Sequence, residues 1–205
     1  MRLNPMATYC GNTTTVLHYS MYRTYYYTTM AKTDAFFIRK AIPLNAAGTD
    51  AGEFSQVSID LGAYVDALGK AVLRIHNIAV QYSDANGTTP DMQANAVAAA
   101  DFQLTTQSQT GIVVAGDNKS VVASGRLVGA RLIGSTGVPS NLSDEFDIAP
   151  QHWTKGYLIG VEQMYLSGAT TTTGWHEDIT ISLVMECTSE TLSKEAAMAL
   201  ALSQQ

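Results

Sequence analysis

The residues with the widest chemical reach are scattered along the chain. His176-Glu177-Asp178 puts an imidazole and two carboxylates in a row, with His152 upstream. A metal needs ligands that converge on one point, whereas adjacent strand residues point to opposite faces. Three consecutive ligand types therefore cannot close on one ion by themselves, and the expectation here is the solvated start of a strand. His76, between Arg74 and Asn77 in an extended run, is expected to be a hydrogen-bonded structural residue and not a base; His18 completes the four histidines. The loop from Asp84 to Asp91 resembles a calcium loop in that Asp84 and Asn86 stand two residues apart. It lacks the third spaced ligand and the distal Glu, so a turn is expected there.

Paired carboxylates occur at Asp144-Glu145 and Glu177-Asp178, both in polar, loop-like stretches where solvation is the expected role. No Gly-x-Ser-x-Gly, phosphate loop or His-Glu-x-x-His is present. Gly125, Gly129 and Gly134 are too widely spaced for a dinucleotide fingerprint. Cys10 and Cys187 lack a spacing pattern and read as buried apolar residues, with a bridge between them left open. No catalytic, cofactor-binding or metal residue is assigned, no cofactor is expected, and the chain is expected not to be an enzyme.

Composition points toward assembly. Charged residues make up 15% of the 205, against a typical quarter, and the hydrophobic share is 46%. A surface covered by neighbouring subunits needs fewer charges than one exposed to water. The net charge of −6 and the absence of any Lys/Arg run disfavour direct nucleic-acid binding, which relies on phosphate neutralisation. Tyr19, Tyr22, Tyr25, Tyr26 and Tyr27 fall within nine residues and suit an inter-subunit or inter-sheet packing stripe. A stacking platform for sugars or bases is the competing role. Residues 1–11 lack an apolar core of signal-peptide length, and no stretch approaches the ~18 apolar residues of a membrane span. Synthesis and folding in a cytoplasm are therefore expected.

The elements that would position these residues follow a period of two. Val57, Ile59 and Leu61 form one half-buried strand. Leu73 and Ile75 begin another, continued by Ile78, Val80 and Tyr82 with switched parity, which calls for a bulge near Asn77. Residues 112–115 and 121–123 flank Gly116-Asp117-Asn118-Lys119 and read as a hairpin. Tyr157, Ile159, Val161 and Tyr165 read as one strand. Ile179, Ile181, Leu183, Met185 and Cys187 give the cleanest alternation. Shorter strands are expected at 16–28, 35–41 and 102–106, for about eight in all. One helical turn is expected within 63–70, and a short helix or ordered loop over 91–100. A C-terminal helix is expected over 190–202, capped by Ser189, with Leu192, Ala196, Ala199 and Leu202 on one face. Its apolar second half calls for docking on its own sandwich, on a neighbouring subunit or on a membrane.

These strands, the low charge, the Thr- and Ala-rich loops and the docking helix resemble the single jelly-roll major capsid proteins of tailless icosahedral viruses of bacteria and archaea. Residues 71–82 (AVLRIHNIAVQY) and 156–165 (GYLIGVEQMY) carry that character. The resemblance implies an all-β, jelly-roll-like antiparallel sandwich with a C-terminal helix, in one domain over 1–205. Within it, 1–15 would be an arm, 16–188 the sandwich and 189–205 the helix. It also implies a structural subunit without catalytic residues, located in the virion and partnered by copies of itself and other capsid proteins. Membrane contact is compatible with it but is not indicated. A carbohydrate- or receptor-binding sandwich is the alternative with the same fold pattern.

Overall fold

The period-two hydrophobicity resolves into nine strands and one helix in a computed structural model that describes residues 34–66, 69–132 and 136–205. In chain order the strands are β1 (Phe36–Leu44), β2 (Ser55–Asp60), β3 (Ala71–Ser83), β4 (Ala96–Thr105) and β5 (Val121–Arg131). They continue as β6 (Asn141–Ile148), β7 (Tyr157–Ile159), β8 (Gln163–Thr170) and β9 (Ile179–Thr191), followed by α1 (Lys194–Ser203). The sheet orders are β1-β9-β3-β7 and β2-β8-β4-β5-β6. Every pairing is antiparallel.

The pairing is nested. β1 pairs with β9, β2 with β8, β3 with β7, and β4 with β5. A chain paired in this way is one long hairpin rolled across two sheets, the arrangement of a jelly roll. β6 is added to the free side of β5. The sandwich falls within one compact unit, Thr33–Gln205. The arm expected over 1–15, the strand over 16–28, the tyrosine cluster, His18 and Cys10 lie outside the described residues.

The inner faces of both sheets meet in one buried cluster. Ile179, Ile181, Leu183, Met185 and Cys187 of β9 all point into it, as their alternation requires. The parity switch in β3 is a bulge: Ile75 faces Cys187, Asn77 faces Glu186, and His76 is the extra residue between them. Ile75 and Ile78 are consequently both buried. Leu61 to Val65 makes a single hydrogen-bonded turn.

Several expectations are corrected. Residues 96–100 are not a helix or loop but the first half of β4. Ala is a good helix former, yet small side chains are needed here because Trp175 lies against this strand. Its indole N–H donates to the Ala99 carbonyl at 3.2 Å. Gly174, at φ +110°, passes so close that a Cβ there would stand 2.7 Å from that of Ala98. A Cβ at Gly129 would stand 3.2 Å from the Trp175 ring.

Residues 112–115 are not a strand, and β5 pairs with β4 instead. The Gln103 side-chain amide takes both the N–H and the C=O of Val113, which replaces a strand neighbour for that segment. The run from Tyr157 to Tyr165 is two strands in different sheets, because the chain crosses the sandwich at 160–162. Asp144-Glu145 lies in β6 and not in a loop.

The helix is shorter and turned relative to expectation. β9 runs on to Thr191, so Ser189 and Glu190 are strand residues, and Ser193 is the N-cap, its hydroxyl accepting from Ala196 N–H at 3.2 Å. Ala197, Ala201 and Gln204 are buried, whereas Ala196, Ala199 and Leu202 are exposed. The polar Gln204 explains the turn. Its side chain accepts from Gly160 N–H at 2.9 Å and donates to Leu158 C=O at 2.7 Å, while Thr106 Oγ1 donates to its carbonyl at 2.7 Å. The helix thus docks on its own sandwich, where the chain crosses between sheets.

Candidate functional site

The histidines and carboxylates singled out in the sequence are not brought together. Glu177 Oε1 accepts from Asp91 N–H at 2.8 Å, and Asp178 Oδ1 accepts from the N–H groups of Ala46 and Ala47 at 3.0 and 3.2 Å. The two neighbours therefore pin two different loops, and His176 and His152 are exposed. Among the described residues, no group of three or more His, Cys, Asp or Glu side chains is placed to hold a metal ion. His76 Nε2 lies 2.8 Å from Thr188 Oγ1, a bond along the outer side of the four-stranded sheet.

The 84–91 segment is a turn organised by Asp84. Its Oδ1 accepts from Asn86 N–H at 2.9 Å and Thr88 N–H at 2.7 Å, and its Oδ2 accepts from Thr88 Oγ1 at 3.0 Å and Asn86 Nδ2 at 3.2 Å. These donors, led by the Thr88 backbone, hold the carboxyl below its usual range. Cys187 is a buried free thiol, pushed up to about 12 by burial and by Glu186.

A cleft on the five-stranded sheet was not legible in the sequence. Residues 106–120 fold back over the side of β4 that carries Asp101 and Gln103, leaving a cleft of about 520 Å3. Apolar side chains of Ile112, Val113 and Val114 form one wall, and β4, β5 and the end of β6 form the other. On the strand side, Arg126 stands between two carboxylates, 3.7 Å from Asp101 and 3.5 Å from Asp147. Burial raises the Asp101 carboxyl, Arg126 opposes that rise, and Asp147 adds to it. The Ser124 hydroxyl also lines the cleft. It is buried and has no hydrogen-bond partner among the described residues.

The second feature is the pair of sandwich flanks. β1 and β2 touch across the sandwich on one flank, while β6 ends the five-stranded sheet on the other. β1 carries Arg39 and Lys40 and no acid, whereas β6 carries Asp144, Glu145 and Asp147 and no base. The remaining edge strands carry only Asp60 in β2 and no charge in β7. Lys40 and Asp144 each occupy an inward-facing position of an edge strand, and Pro43 removes one N–H from β1. Such features oppose uncontrolled strand addition. Further apolar side chains stand exposed around the molecule, among them Phe37, Val97, Leu132, Trp153 and Leu202. No helix among the described residues is long and apolar enough to cross a membrane. No family model matches the chain, and no curated protein matches it.

Proposed function

We propose that this chain is a structural subunit of a viral capsid, self-assembling into a protein shell and acting without catalysis. The observation that carries the reading is a jelly roll whose surface combines few charges with twelve large apolar side chains, among the described residues, exposed by more than a third. A subunit covers such a surface with neighbours, and a low charge count suits a surface so covered. The fold by itself would not support a function, since sandwiches serve many. In this reading the partners are copies of the chain and other capsid proteins, the location is the virion, and the acidic balance keeps the subunit off the genome. Negative-stain electron microscopy and sedimentation of the purified full chain test it. Rings, plates or closed shells are expected, and a monomer at every accessible concentration would overturn it.

A second reading, a carbohydrate- or receptor-binding module, is favoured by the cleft beneath residues 112–116. Carboxylates, a guanidinium and an unpartnered hydroxyl beside an apolar wall suit a polyhydroxylated ligand. Calorimetric titration with a panel of neutral and acidic saccharides tests it. Saturable binding abolished by Asp101→Ala would favour it over the shell.

A further inference from the structure

We propose that subunits meet head to tail, the basic β1 edge of one copy against the acidic β6 edge of the next. This rests on the subunit reading and specifies which surface joins the copies. Three observations carry it. First, β1 and β6 stand on opposite flanks, each at the free end of its own sheet, so both are presented at once by a single molecule. Second, their charges are complementary and not neutralised by an ion pair, although Arg39 lies over the Phe37 ring and Glu145 accepts from the Ser143 hydroxyl. Neither Arg39 and Lys40 nor Asp144 and Glu145 form an ion pair among the described residues; the acids nearest the basic pair, Asp34, Asp50, Glu53 and Asp60, lie at strand ends or in the β1–β2 connection and not along the β1 edge itself.

Third, like-with-like joining is penalised. A two-fold contact between two β1 edges would set Arg39 and Lys40 against their own copies, and a contact between two β6 edges would set the carboxylates against theirs. Lys40 and Asp144, at inward-facing positions on their edges, together with Pro43, which lacks an N–H, also weaken a simple continuation of the sheet by backbone pairing. Side-chain charge therefore selects the partner edge. A heterologous contact of this kind propagates, closing into a ring or continuing as an array according to the rotation between copies.

The test uses four forms of the full chain in sedimentation velocity at matched concentration. Arg39→Glu with Lys40→Glu makes both edges acidic, and Asp144→Lys with Glu145→Lys makes both basic. The fourfold variant exchanges the polarity. Wild type is expected to associate, each two-site variant alone to associate about tenfold more weakly or worse, and an equimolar mixture of the two to recover association. The fourfold variant is expected to recover it alone, and added salt to weaken every recovered complex. Wild-type association unaltered in both two-site variants would overturn the edge assignment and leave the subunit reading standing. A wild type that stays monomeric would remove both. If circular dichroism shows that the lysine pair in β6 prevents folding, Asp144→Asn with Glu145→Gln replaces it, and an unweakened association then overturns the proposal.

Discussion

Asp84 and Asp178 perform related work in different loops, each holding backbone N–H groups that have no strand partner. For Asp84 the consequence can be measured against pH. Its folded-state carboxyl sits below the ordinary 3.8, so the charged form stabilises the fold. That contribution is complete above 3.8 and is lost as pH falls through the folded value. Asp84→Asn is therefore expected to melt lower than wild type at pH 7, with the gap closing in acid; thermal melts across pH 2–7 check it. Asp144 has the opposite sign, because burial raises its carboxyl and the ionised form works against folding at neutral pH. Asp144→Asn is expected to melt slightly higher at pH 7, measured at a concentration too low for association. Cys187, pushed up to about 12 and buried, is expected to resist alkylation at neutral pH until the protein unfolds. Mass spectrometry of the peptide that contains it reads this directly.

Among the elements, β9 has the least tolerance for change. Ile181 and Leu183 are fully buried between β1 and β3, and a carboxylate at either position would be buried without a partner. Ile181→Asp and Leu183→Asp are each expected to abolish folding, since such a burial costs several kcal/mol, comparable to the ~5–15 kcal/mol stability of a domain. Loss of the native circular dichroism signal at 25 °C is the readout. α1 is the opposite case, a short helix held by one polar residue. Gln204→Ala leaves Gly160 N–H and Leu158 C=O unsatisfied and is expected to cost about 1–3 kcal/mol in denaturant unfolding. Such elements show what sequence alone could and could not give. The strands β2, β3 and β9 and the bulge at His76 were readable, because one buried face imposes its period on the residue types. The first half of β4 was hidden, because its alanines answer to Trp175, which lies distant in sequence. β6 was hidden because Asp144 interrupts the apolar parity of Leu142, Phe146 and Ile148. The docking face of α1 was missed because the residue that anchors it is an amide and not a hydrocarbon. The cleft had no local signal at all, since it exists only where residues 106–120 fold back on β4.

At the scale of the whole molecule, periodicity says which face of a strand is buried but not which strand lies beside it. The nested order of partners came from the structure. That order also bears on how the protein is made. β1 is synthesised well before its sheet partner β9, and β2 waits nearly as long for β8. The core-facing apolar residues of β1, β2 and β3 are thus exposed until β7, β8 and β9 have been made, with no completed sheet to receive them. Ordering must await β8 and β9, and the many distant pairings make refolding slow, on the scale of milliseconds to seconds. A nascent chain in that state is vulnerable to sticking to its siblings, the more so if many copies are made at once. Timing at the ribosome, and the chaperones that hold the first half of the chain, would then limit the yield of usable protein.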